Sequence, residues 1–188
     1  MRIIGGLHRG RPLSAPKGKD TRPTSDRTRE SIFNILRHGG WHHGALEDAT
    51  VLDVFAGTGA LGLEALSQGA KHAAFIEREH PAIDFCKKNI AVLGEAERTA
   101  VLTFDATDPI PRPLYIEPRS LVFLDPPYGK YLGAEALKAL VQQDWLKEGA
   151  ICALEMSKKV PEILPAGFTL QDERVYGLAK VQFLIWGG

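Results

Sequence analysis

Cysteine is nearly absent: two thiols, Cys86 and Cys152, stand in 188 residues, both in apolar stretches. With no CxxC pair and no Cys/His pattern at ligand spacing, a disulfide scaffold and a structural zinc site are excluded. No apolar run approaches the roughly 18 residues that a membrane helix needs. The opening MRIIGGLHRGRPL has no apolar core behind Arg2 of the kind a signal peptide carries, so the expected compartment is the cytoplasm. Net charge is missing as well, since 23 Lys and Arg meet 23 Asp and Glu. A disordered chain combines high net charge with few apolar residues, whereas 44% of this one is apolar. No internal repeat or low-complexity segment is present. What these absences leave is a cored domain of ordinary size.

The balanced charge conceals an asymmetry. Residues 1–37 hold nine basic and three acidic residues, a net +6, which leaves −6 for the remainder. Arg9-Gly-Arg11, Arg22 and Arg27-Thr-Arg29 are clustered rather than mixed with acids, which suits an arm that grips a polyanion while chemistry proceeds elsewhere. Charge alone does not separate RNA from DNA. Residues 2–14 read as short extended segments turning at Gly5-Gly6, an N-terminal hairpin, followed by a loop over 15–20. Thr24 or Ser25 is a good N-cap for a helix that puts Ile32, Phe33, Ile35 and Leu36 on one face and ends at Gly39-Gly40.

After the loop 41–50, in which His42 and His43 read as solvated residues rather than ligands, the pattern becomes regular. Strands are expected at 51–55, 72–77, 100–104, 121–125 and 150–156, with helices at 60–68, 81–93 and 134–146. Nearly all-apolar strands alternating with helices mean a mostly parallel sheet covered on both faces, an α/β Rossmann-like architecture. Residues 168–176 and 180–186, joined by Gly177-Leu178-Ala179, are expected to close it as an antiparallel hairpin on the sheet edge. The organisation expected is one domain, with residues 1–40 as a basic extension of the core 41–188.

Two stretches carry chemistry. Asp53-Val-Phe55-Ala-Gly57-Thr-Gly59-Ala-Leu-Gly62 follows a strand and opens a helix, so backbone N–H groups can face a closely approaching ligand. Glu77 ends the next strand 20 residues after Gly57, where a carboxylate can accept from both hydroxyls of a ribose. Asp53 lies four residues before Gly57, where a carboxylate suits a cationic amino-acid tail and would repel a pyrophosphate. Asp105 again terminates a strand and is placed for an adenine amino group, with Asp108 a competing candidate. The second stretch is Asp125-Pro126-Pro127-Tyr128, delivered by a buried strand to the edge where open α/β sheets bind ligands. Consecutive prolines fix φ and donate nothing, so the Asp125 carboxylate and the Pro126 carbonyl are free to accept both protons of an NH2 group. Tyr128 can stack on a planar ring.

Together these stretches resemble class I S-adenosylmethionine-dependent methyltransferases of the branch whose acceptors are exocyclic or amide nitrogens. A narrower resemblance rests on RIIGG from Arg2, Arg9-Gly-Arg11, the run RPTSDRTRESIFN from Arg22, DVFAGTGALGLEALSQGA and FLDPPYGK. These resemble the bacterial 16S ribosomal RNA guanine-N2 methyltransferases that act on guanine 966. The resemblance implies a seven-stranded fold, S-adenosylmethionine as methyl donor without a metal, and the 16S RNA of an assembled or partly assembled small subunit as partner, met by a monomer. It implies cofactor contacts from Asp53, Phe55, Gly57, Gly59, Glu77 and Asp105. It implies orientation and stacking of the guanine by Asp125, Pro126 and Tyr128, and RNA contacts from Arg9, Arg11, Arg22, Thr24 and Arg27. The alternative acceptors are an amine of another RNA, a DNA adenine or a protein glutamine, and DNA adenine and protein glutamine methyltransferases use a similar tetrapeptide. The first needs a sizeable recognition domain, the second usually has Asn at the first position and a helical N-terminal domain, and the basic arm here favours RNA. A non-catalytic RNA-binding protein of this fold and a nicotinamide oxidoreductase are the other readings.

Overall fold

The computed structural model describes residues 1–16, 26–42, 44–127, 131–159 and 163–187. Its elements in chain order are α1 (Asp26–His38), β1 (Thr50–Val54), α2 (Ala60–Ser67), β2 (His72–Ile76) and α3 (His80–Leu93). A 3-10 turn (Ala96–Arg98) leads to β3 (Thr99–Leu102), then β4 (Arg119–Leu124), α4 (Leu132–Gln142), β5 (Leu146–Ser157), β6 (Phe168–Tyr176) and β7 (Ala179–Trp186). The strands form one seven-stranded sheet in the order β3-β2-β1-β4-β5-β7-β6. β1 to β5 pair in parallel, and β7 runs antiparallel between β5 and β6. The expected α/β sheet with an antiparallel C-terminal hairpin is what the chain forms.

The sheet separates two cores, because successive side chains of a strand point to opposite faces. Val51, Phe75, Leu121, Phe123, Ala153 and Phe183 meet α1, α2 and α3 on one face, whereas Leu52, Ala74, Val122, Cys152 and Leu184 meet α4 and Trp145 on the other. The N-terminal arm belongs to the first core through Ile3 and Leu13. It is a hairpin held by Ile3 N–H donating to the Arg11 carbonyl and Leu13 N–H donating to the Met1 carbonyl, with its bend between Gly5 and Gly10.

Several expected boundaries move. The helix expected over 134–146 ends at Gln142, because Asp144 adopts a left-handed φ of 58° and the buried Trp145 turns inward, its indole N–H on the Ile110 carbonyl. Leu146 therefore starts β5 beside Arg119, and a register shift between Arg119 and Leu121 absorbs the extra residues before Ile151. The connection between β6 and β7 is two residues, Gly177-Leu178, since Ala179 already pairs with Tyr176. His42 is not simply solvated: it is half-buried and its Nε2 lies 2.9 Å from the Ile35 carbonyl, capping α1. His43 and the expected N-caps Thr24 and Ser25 lie outside the described residues.

Candidate active site

Parallel strands bring their carboxyl ends to one edge, and there the sequence places its acids. Asp53 of β1 stands in register with Phe75 of β2 and Phe123 of β4. Past Val54 the chain bends through Phe55 at φ 60°, Gly57 at φ 56° and Gly59 at φ 79°. A left-handed non-glycine residue costs about 1–2 kcal/mol. Phe55 is held there by the bonds that follow, Ala56 N–H to the Ile76 carbonyl at 3.0 Å and Gly59 N–H to the Ala56 carbonyl at 2.8 Å. A Cβ on Gly59 would stand 2.8 Å from Cys86 Sγ, so this glycine lets α3 close on the loop. A Cβ on Gly57 would meet nothing nearer than the Phe55 carbonyl at 4.0 Å, which leaves the space over the loop open to a ligand.

Three carboxylates line this edge on the side of β1, β2 and β3. Asp53 is 1% exposed and accepts the Gly62 N–H at 2.8 Å, tying the first turn of α2 to β1. Burial pushes its carboxyl up to about 8 against that bond, and the charges of Asp125 and Glu77 add to the rise. A cation arriving beside Asp53 would relieve this. Glu77 takes the Gly57 N–H at 2.8 Å on one oxygen, and the N–H groups of Arg78 and Glu79 at 2.8 and 2.9 Å on the other. It thereby bridges the glycine loop and the start of α3. Asp105 accepts from the Thr107 N–H and hydroxyl and pairs with Arg78 at 2.5 Å. The bonds from Thr107 and then Arg78 hold its carboxyl below the usual range. Asp108 is exposed and its backbone N–H donates to the Asp105 carbonyl.

At the end of β4, Asp125 is half-buried, Pro126 buried and Pro127 exposed, and the Asp125 N–H approaches the Val54 carbonyl at 3.4 Å. Asp125 thus sits one strand from Asp53, near enough to raise its carboxyl. Tyr128 lies outside the described residues, as do Arg22 and Thr24. Of the other RNA candidates, Arg9 and Arg27 line one groove of about 300 Å³ between the arm and α1, together with Arg2, Asp26 and Glu30. Arg11 is on the opposite flank of the arm, its guanidinium donating to the Val92 carbonyl in the last turn of α3 at 2.7 Å. Arg29 corrects the charge reading. It is 1% exposed, donates to the Arg2 carbonyl and to Asp26, and faces the buried Glu64 at 3.9 Å, so it fastens the arm instead of meeting solvent.

The sequence reading missed what holds the arm in place. Glu64 of α2 accepts the N–H groups of Ile4 and Gly5, both at 2.8 Å, and Ser67 binds Gly5 and His8. His8 meets Glu95 at 2.6 Å. Asn89 of α3 joins Ser14 to Thr58. Only the apolar character of the surrounding helix positions hints at their burial; their partners are remote in sequence. The edge as a whole suits a ligand with a cationic end over Asp53, hydroxyls at Glu77 and a purine amine at Asp105, with an acceptor-rich turn at Asp125 beside it. Among the described residues no group of three or more His, Cys, Asp or Glu could hold a metal ion, and no helix is long and apolar enough to cross a membrane.

Comparison with known proteins extends this geometry. The chain is 36% identical over 181 residues to ribosomal RNA small subunit methyltransferase D of Haemophilus influenzae, covering 96% of this chain and 91% of that protein. It is 37% identical over 179 residues to the protein of the same name from Escherichia coli, covering 94% and 85%. Among solved structures it resembles a putative methyltransferase from Escherichia coli with a TM-score of 0.83 at 35% identity, over 100% of this chain and 98% of the other. With residues 1–185 matching its model, the chain belongs to the family described as conserved hypothetical protein 95.

Proposed function

We propose that the protein transfers a methyl group from S-adenosylmethionine to the 2-amino group of a guanine in 16S ribosomal RNA, guanine 966, within the small subunit or an assembly intermediate of it, acting as a cytoplasmic monomer. The observation that carries this reading is the placement of Asp125-Pro126 one strand from Asp53 and the open glycine loop, so that an amine acceptor and a methyl donor meet at one sheet edge. The names of the relatives support the substrate class.

When bound, S-adenosylmethionine supplies an already activated sulfonium methyl, so the protein's task is alignment. Asp53 faces its amino-acid end, Phe55, Gly57 and Gly59 line its path, Glu77 takes the ribose hydroxyls and Asp105 the adenine amine. A guanine amine is a poor nucleophile because its lone pair delocalises into the ring. The Asp125 carboxylate and the Pro126 carbonyl accept its protons, favour the pyramidal nitrogen and stabilise the positive charge that develops on it. Tyr128 stacks on a base that has left its own stack. Arg9, Arg11, Arg22, Thr24 and Arg27 contact the RNA, the arginines through its backbone. The test is incubation with methyl-labelled cofactor and small subunits from cells lacking the modification, then nucleoside digestion and mass spectrometry. N2-methylguanosine at one position is the expected product, and labelling of another nucleoside, or none, refutes the assignment.

A further inference from the structure

Asn89 stands in the last two turns of α3, on the buried side, 1% exposed. Its side-chain amide makes three hydrogen bonds. Oδ1 accepts the Ser14 N–H at 2.7 Å, and Nδ2 donates to the Ser14 carbonyl at 3.0 Å and to the Thr58 carbonyl at 3.0 Å. Toward Ser14 it therefore acts as a neighbouring β-strand would, gripping N–H and C=O of one residue at once. With its remaining proton it holds the glycine loop between Gly57 and Gly59. Ser14 is where the arm leaves its hairpin and heads, in sequence, toward Arg22, Thr24 and Arg27. Among the described residues, no other side chain bonds directly to both the arm and the glycine loop.

A second path runs through α2. Its first turn is fixed to β1 by the Gly62 N–H on Asp53, and its last turns carry Glu64 and Ser67, which bind Ile4, Gly5, Leu7 and His8 of the arm. A helix of eight residues is about 12 Å long and stiff. The glycine loop and the arm are thus joined at both ends, by Asn89 at the loop and by α2 below it. A ligand that orders the loop also fixes Thr58, and through Asn89 it fixes Ser14. A polyanion that orders the arm does the reverse. Whichever ligand arrives second meets a partner already in place.

We propose that Asn89 is a positioning residue that couples the two halves of the site, so that cofactor in the glycine loop and RNA on the arm each tighten the binding of the other. This rests on the reading of the loop as cofactor cradle and of the arm as RNA contact. Because a coupling free energy is reciprocal, both affinities must change by one common factor, and a positioning residue differs from a merely structural one in that its loss lowers this factor while each ligand alone still binds.

The experiment measures the affinity of small subunits lacking the modification for the protein with and without S-adenosylhomocysteine, and the affinity of S-adenosylhomocysteine with and without those subunits. The wild type is expected to show the same gain, about five- to tenfold, in both directions. Asn89→Ala, which removes all three bonds, should lower the factor in both directions, leaving only what the α2 path carries. Ser14→Pro, which removes the donor to Asn89 Oδ1 and keeps the sequence of α3, should lower it too, with some loss of melting temperature because that acceptor is buried. A wild-type factor of one overturns the proposal, as does a factor unchanged in Ser14→Pro. If the wild type fails to bind the subunits at all, the RNA reading falls and the coupling with it; if both ligands bind independently, only the coupling falls.

Discussion

Each end of the sheet buries an ionisable group at odds with its surroundings, but the two differ in what lies above them. At the carboxyl edge, Asp53 sits under a glycine loop whose outer side is open, and burial raises its carboxyl to about 8. At the amino edge, Arg119 opens β4 with 1% of its surface exposed, bonded to His72 at 3.2 Å and with its Nε unsatisfied among the described residues. Burial pushes that guanidinium down to about 10 and, with Arg119 beside it, pushes His72 down as well. By perturbation alone the two would rank alike as functional candidates. Access distinguishes them: the Arg119 guanidinium is buried against His72 and its backbone N–H donates to the Trp145 carbonyl, whereas Asp53 lies beneath a glycine loop with room for a ligand.

The largest effect expected at the carboxyl edge is from Asp125→Ala, which should lower methyl transfer about 10³-fold while S-adenosylhomocysteine affinity stays within a few-fold. Calorimetry alongside single-turnover labelling checks both, and a parallel loss of cofactor binding would count against the assigned role. Glu77→Ala should weaken S-adenosylhomocysteine about 10- to 100-fold, because the charged acceptor proposed for two hydroxyls goes, and with it the acceptor of the Gly57, Arg78 and Glu79 N–H groups. The same titration at saturating cofactor should return most of the turnover.

How much of this was legible before the fold was seen depends on the range over which each signal acts. The glycine loop, the acids at strand ends and the Asp-Pro-Pro turn are local patterns, and the strand–helix alternation placed them all on one edge. Arg27 and Arg29 read alike in a charge count, yet they stand two positions apart on α1, so one lines the groove and the other is buried on Glu64. Asn89 reads as one polar residue in an amphipathic helix, since its partners lie 75 and 31 residues away. The early end of α4 was hidden for a related reason, because the left-handed Asp144 is stabilised by where Trp145 packs and not by a glycine signal.

Smaller effects sharpen the comparison. Arg9→Ala should reduce the slope of log affinity against log salt for subunit binding by about 1, and Arg29→Ala should leave the slope unchanged while lowering the melting temperature. Asp53→Asn tests the raised carboxyl. Because that group is raised in the folded state, it holds its proton on folding above about pH 4, and its contribution to stability declines as pH rises to about 8. The Asn variant keeps an acceptor for Gly62 and has no such decline, so its stability relative to wild type should grow between about pH 4 and pH 8 and level off above that in denaturant titrations. Least of all, Arg119→Met should change stability by about 1 kcal/mol or less and leave cofactor affinity alone, as buried charges replaced by apolar side chains of similar volume often do. A large loss of cofactor binding in that variant would erase the distinction between the two edges.

The position of β7 has a consequence for the way the chain is made. β7 is later in sequence than β6 but lies between it and β5. Until residues 179–186 have emerged from the ribosome, β5 presents an open, largely apolar edge and β6 has no strand to join. The first five strands can assemble during synthesis, yet the sheet is sealed only by a late insertion down its flank. During that interval the nascent chain is most open to sticking to its neighbours, and chaperone dependence should be concentrated there.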